Sequence, residues 1–233
     1  MVSVTLIVAG TVLASAAHAA TLGGLRVSTL AVFGGPAEVD LPDPPSPPPA
    51  GLGCDEFEDH PGALDGRDDG CGNTWSTPSG NWSVSDGVAR ATGPVGVALV
   101  DGLASNQVTV SAELIDGHAN NRRGGVVHSY TTTAAGPAHL VGYVRGSGRL
   151  HLDLVVGNTT ISLASVNGIP VGSPQLVAVT RSGADVTVSI DGVPVIEHTL
   201  LPARDGLLSG AGAGLWKAQG PPAEFGSFSV VAG

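Results

Sequence analysis

From Trp82 onward, apolar and polar residues alternate with a period of two. Trp82 and Val84; Val108, Val110, Ala112 and Leu114; Leu150, Leu152 and Leu154; and Val186, Val188 and Ile190 each place every second side chain on one face, the pattern of half-buried strands. Between these runs fall the turn signals Asp86-Gly87, Asp101-Gly102, Gly146-Ser147-Gly148, Gly157-Asn158, Ser182-Gly183 and Asp191-Gly192. Their spacing predicts a succession of antiparallel hairpins. No stretch of helical length keeps apolar residues at i, i+3, i+4 and i+7 free of glycine, which excludes a parallel α/β sheet. The chain is predicted to be all-β, with two antiparallel sheets stacked as a β-sandwich.

Composition supports that reading and removes some functions. The chain has 233 residues, with 35 Gly and 17 Pro for turns, and a 42% apolar fraction that supplies a core. Its 20 acidic residues outweigh 10 basic ones, a formal charge of -10. A surface of that sign cannot neutralise phosphates, so nucleic acid is excluded as a partner. All the basic residues but one are arginine, a bias expected of a GC-rich bacterial genome.

The N-terminal 53 residues divide in two. Residues 1–19 carry no charge and end in Ala17-His18-Ala19, a small-residue cleavage site that predicts an export signal peptide. The alternative is a membrane anchor, but the run is short for a span and rich in Ala, Ser and Thr. After cleavage no membrane association is expected. Residues 20–53 form a mildly apolar segment followed by a proline-rich linker, PDPPSPPPAGLG, predicted to be extended and semi-rigid. The domain proper is placed at 54–231. Glu38-Val39-Asp40 resembles the start of the E-x-D-x-E motif of laminarinase-type glycosidases. Its third acid would have to come from Asp43, directly after Pro42, in a segment unable to form a central strand.

Cys54 and Cys71 are the only cysteines, and in an exported chain they are expected to form a disulfide. The loop they close is rich in acids, and Asp55, Asp65, Asp68 and Asp69 are its candidate calcium ligands. The plainer alternative is a solvated acidic loop, since the spacing is not that of an EF-hand.

The order of several motifs carries a resemblance. Asp55-Glu56-Phe57, then Trp75, then Gly80-Asn81-Trp82-Ser83-Val84-Ser85-Asp86-Gly87-Val88-Ala89, then Gly124-Gly125-Val126-Val127, and finally Val188-Ser189-Ile190-Asp191-Gly192-Val193-Pro194-Val195 resemble the concanavalin A-like lectin/glucanase superfamily. Within it, they are most similar to the laminin-G-like jelly rolls of secreted bacterial and phage tail proteins. The resemblance implies a jelly roll whose concave face meets glycans or other polymers. Two positions depart from the family pattern. Gly226 stands where a closing D-x-F strand has its aspartate, and His128 where an arginine follows the G-G-hydrophobic strand. Neither a calcium ligand nor an arginine ligand is carried over to them.

No metalloprotease, nucleophile-elbow or phosphate-loop motif occurs, and no strand of the domain pairs two glutamates. No catalytic residue is assigned. His118, His128, His139, His151 and His198 are scattered over the sequence and read as structural. Among the few aromatic residues, Trp82 and Phe57 read as core. Trp216, Tyr130 and Tyr143, with Asn121, Arg122 and Arg123, are the candidate binding face, because sugar rings stack on amphipathic aromatics. The function expected is an exported, noncatalytic module that binds carbohydrate or another extracellular polymer. The alternatives are a structural or adhesive surface protein and, less favoured, a diverged polysaccharide hydrolase.

Overall fold

The computed structural model describes residues 52–58, 61–115, 123–170 and 174–233. The signal-peptide reading, most of the linker and the candidate residues Asn121 and Arg122 lie outside the described residues. The strands are β1 (Cys54–Asp55), β2 (Gly62–Ala63), β3 (Thr74–Ser85), β4 (Val88–Asp101), β5 (Val108–Leu114), β6 (Arg123–Thr133), β7 (Gly136–Arg145), β8 (Arg149–Val156), β9 (Thr159–Asn167), β10 (Gln175–Ser182), β11 (Asp185–Ile190), β12 (Val193–Thr199), β13 (Gly212–Lys217) and β14 (Ala223–Ala232). One short helix, α1 (Pro202–Asp205), precedes β13.

The hairpin turns follow from local chemistry. Asp86 and Gly87 have φ of 55° and 72°, and Asp191 and Gly192 have 50° and 78°. Two consecutive positive φ values make the turn whose twist matches flanking antiparallel strands, and Asp-Gly adopts it at the least steric cost.

All strand pairs are antiparallel, and hydrogen bonding runs β12-β11-β10-β5-β14-β4-β13-β6-β7-β8-β9. β4 belongs to both layers. Its first part, Ala89–Ala91, pairs with β14, and its second, Gly96–Val100, pairs with β13. Between them the β3–β4 hairpin bends, with register breaks at Ser76, Ser79 and Asn81. Glycine is required at that corner. A Cβ on Gly80, whose φ is +80°, would lie 2.7 Å from the Gly96 Cα. Lys217, the only lysine, locks the corner from inside: its Nζ donates to the carbonyls of Gly93, Ala218 and Gly220 at 2.6, 3.0 and 3.1 Å.

Strand alternation sends one side-chain set of each sheet into a shared core. Leu140, Leu150, Leu152 and Leu154 from one layer meet Val110, Val177, Val179 and Val188 from the other. Each such side chain contributes about 1.5–3 kcal/mol through burial. The layers approach closely, since a Cβ on Gly142 would come within 2.3 Å of the Val179 side chain. Phe57, Trp75, Trp82, Phe225 and Phe228 are all buried. Trp82 packs on Phe225 with ring centroids 5.9 Å apart, as its alternation with Val84 predicts. Cys54 and Cys71 are bridged, with Cα atoms 5.6 Å apart.

Candidate functional site

The sheet containing β13, β6, β7 and β8 is buried on both faces. Its inner face is the leucine-rich core; its outer face carries polar and aromatic groups in lateral rows. Register builds the first row. Trp216 pairs with Gly125, Gly125 with Tyr143, Tyr143 with His151, and His151 with Ser165. Tyr143 lies between two rings, 4.7 Å from Trp216 at 44° and 4.7 Å from His151 at 5°. Gly125 makes this possible. A Cβ there would fall 2.6 Å from the Tyr143 Cβ, so only glycine leaves the rings of β13 and β7 free to meet across β6.

A second row across the strands is apolar, running from Leu99 over Gly214 to Val127 and Val141, and it ends on Asp153. Val97, Leu99 and Val127 form a cluster separate from the main core, against which Tyr130 and Trp216 pack half-buried. Tyr130 reaches this face because of a β-bulge. The register breaks between His128 and Thr131, and Ser129 takes a φ of +56°, which reverses the alternation. Tyr130 then stacks on His139 at 5.3 Å and 25°. Beside it opens a groove of about 750 Å³, lined by Tyr130, Leu99, Ser76, Thr131, Asp65 and Asp101 among others. From Arg145 to His139 along β7 the face is about 20 Å long, at roughly 3.4 Å per residue.

Hydrogen bonding within this face is incomplete. Tyr143 Oη donates to Asp153 Oδ2 at 3.0 Å, but Asp153 Oδ1 has no partner. Also unpartnered are both ring nitrogens of His139, His151 Nε2, and the Nε atoms of Arg123 and Arg149. Among the described residues, every buried side-chain nitrogen or oxygen lacking a partner sits on this one face. Unmet buried polar groups are costly wherever no ligand or water completes them. Burial lowers the His139 imidazole pKa to about 4. His151 is lowered mainly by burial, with Arg149, Arg145 and Arg123 adding to the effect and Asp153 opposing it. Burial and then the Asp153 charge push the Tyr143 hydroxyl well above its ordinary value.

Trp216, Tyr130, Tyr143 and Arg123 therefore share one surface. Tyr143 needs a correction as a free-standing ring, because its two ring neighbours leave it only 8% exposed. The histidines do not meet: His139 opposes Val155 and His151 opposes Tyr143 on the outer face, while His128 turns inward. His128 is buried, with Nδ1 2.7 Å from Ser129 Oγ and Nε2 3.0 Å from the Val108 carbonyl. The site contributions of His139, His151, Asp153, Arg145 and Arg149 escaped sequence reasoning. Their period-two spacing on either side of the Gly146-Ser147-Gly148 turn was the available signal.

The four candidate calcium ligands accept hydrogen bonds from the chain itself. Asp55 accepts from the Phe57 amide at 2.7 Å and from Trp75 Nε1 at 2.8 Å. Asp69 accepts from the amides of Cys71 and Asn73 at 2.9 and 2.8 Å, and from Asn73 Nδ2 at 2.8 Å. Asp68 accepts from the Gly70 amide at 2.7 Å, and Asp65 from the Thr77 amide at 2.8 Å. These carboxylates brace the disulfide loop, and no group of three or more potential metal ligands converges among the described residues.

No family profile and no curated protein sequence matches the chain. Solved structures do. A β-glucanase from Bacillus licheniformis is similar over 78% of this chain and 98% of its own length, with a TM-score of 0.54 and 11% identity. SCLam, an endo-β-1,3(4)-glucanase of family GH16, aligns over 80% and 93%, with a TM-score of 0.53 and 12% identity. A Bacillus subtilis protein with a galectin-like fold aligns over 68% and 89%, at 0.50 and 13%. Identities this low establish the fold, which is the concanavalin A-like jelly roll.

Proposed function

We propose that this concanavalin A-like sandwich is an exported, noncatalytic module that binds glycan or another extracellular polymer on the outer face of β13, β6, β7 and β8. The observation that supports it most is the in-register row Trp216, Tyr143 and His151, set among polar atoms that the protein itself does not satisfy. A sugar ring offers both an apolar face for stacking and hydroxyls for hydrogen bonding, which matches that mixture. The disulfide supports an oxidising, extracellular location.

The similarity to glucanases makes hydrolysis the reading to weigh against it. Glycosidases need two carboxyl groups about 5–9.5 Å apart across the scissile bond. From Arg123 to Asn167, the sequence that forms β6 to β9, Asp153 is the sole acid, and it is buried and bonded to Tyr143; of the two acids that line the neighbouring groove, Asp65 and Asp101, Asp65 accepts from the amide and hydroxyl of Thr77. That favours binding over turnover. Glycan-array binding by the full chain and by Trp216→Ala, with and without calcium, tests the proposal. Loss of signal in the variant is expected. An array without a binder would favour a structural or adhesive role, and release of reducing ends from a bound glycan would favour hydrolysis.

A further inference from the structure

The outer face ends in a row of cations. Arg123 pairs in register with Arg145, Arg145 with Arg149, and Arg149 with Asn167. Alternation places all three arginines on the side that carries Tyr143 and His151, and all three are partly exposed. Adjacent strands lie about 4.8 Å apart, so three guanidinium stems rise from a span of roughly 10 Å. Like charges directly opposite one another weaken a sheet, and no ion pair among the described residues offsets them. Among the described residues, the side-chain ion pairs are Arg67–Asp55, Arg90–Glu224 and Arg181–Asp205, none of which involves this row. Arg149 Nη2 donates to Ser165 Oγ at 2.8 Å, while the Nε atoms of Arg123 and Arg149 have no partner. That concentration of positive charge stands out in a chain of net charge -10.

A guanidinium is a planar fork suited to carboxylate and sulfate, and three in a row repeat that fork along one line. Resting on the binding reading above, we propose that the ligand is a polyanionic polysaccharide whose rings lie along the partly exposed Trp216 and whose carboxylate or sulfate groups meet Arg123, Arg145 and Arg149. A polymer of regularly spaced anions supplies the counter-charge that no ion pair among the described residues provides, and the neighbouring aromatic row distinguishes a sugar chain from an arbitrary polyanion.

The test is affinity electrophoresis of the full chain in gels carrying polygalacturonate, dextran sulfate or neutral laminarin, at salt from about 50 to about 300 mM. Arg145→Gln, the double variant Arg123→Gln with Arg149→Gln, and Trp216→Ala are run beside it, each first checked for an unchanged thermal melt. Retardation by at least one anionic polymer is expected, weakened about tenfold or more by each arginine variant and by Trp216→Ala, and reduced by salt. Whether polygalacturonate or dextran sulfate is retained separates a carboxylate ligand from a sulfate one. Anion binding indifferent to Trp216→Ala would mean charge attraction alone and would overturn the proposal. Laminarin binding unaffected by the arginine variants would overturn it while leaving the binding module intact, and retardation by none of the three would overturn both.

Discussion

Tyr143 and His151 lie parallel on neighbouring strands, their planes 5° apart and their centroids 4.7 Å apart. The tyrosine hydroxyl reaches one step further, to the buried Asp153. The pair is both floor of the candidate site and part of the packing of the outer face, so its substitution acts on stability as well as on binding.

Tyr143→Phe keeps the ring and removes the donor from a buried carboxylate. A loss of about 1–3 kcal/mol is expected, because Asp153 is left with neither oxygen partnered. A urea denaturation midpoint measures it. An unchanged midpoint would mean that the hydroxyl bond adds nothing.

The two kinds of tryptophan should separate cleanly. Trp82 is a core ring, and Trp82→Ala should cost about 3–5 kcal/mol, as emptying a large buried site does. Trp216 is half-buried on a small cluster beside the groove, so Trp216→Ala should weaken polymer binding while moving the melting temperature by only a few degrees. Equal melting shifts in the two variants would place Trp216 in the core.

Acid should destabilise the fold before its carboxylates titrate. Burial holds His128 and His139 at about 4, against an ordinary 6.5. The unfolded chain therefore binds more protons between these values, and stability falls as pH drops from about 6.5 towards 4, by up to about 3 kcal/mol per imidazole. Asp55, raised by burial, acts in the opposite sense just above its ordinary value and blunts the lower end. Denaturation series at successive pH values, with His139→Leu as comparison, read the effect. A profile flat across this window in the unmodified chain would refute it.

Replacing Cys54 and Cys71 by serine should remove roughly 3 kcal/mol by freeing the closed loop in the unfolded chain. The melting temperature of the double variant measures that loss.

Calcium should leave the thermal melt of the oxidised protein unchanged, because Asp55 and Asp69 already accept bonds on both carboxylate oxygens. A calcium-dependent rise of several degrees would show a site that these contacts conceal.

Several strands, two hairpin turns and much of the interior were legible in the local pattern of residues. Period-two alternation identified the inward sets of β5, β8 and β11, Asp-Gly pairs fixed two hairpins, and two lone cysteines fixed one bridge, because each of these depends on neighbours along the chain. The sequence also supplied Trp216, Tyr143, Tyr130 and Arg123, since aromatic and arginine side chains are few enough to notice. Tertiary structure decided what they form. Trp216 meets Tyr143 only because β13 pairs with β6, a contact between residues far apart in sequence, and because Gly125 between them has no side chain. Tyr130 joins the face only through the bulge at Ser129. His128, Arg181 and Lys217 carry polar or charged side chains, yet the fold buries each against carbonyl or hydroxyl partners. The contacts of the acidic loop depend on the fold in the same way, because the amides of Phe57, Gly70, Cys71 and Thr77 turn towards its carboxylates only once the loop is closed.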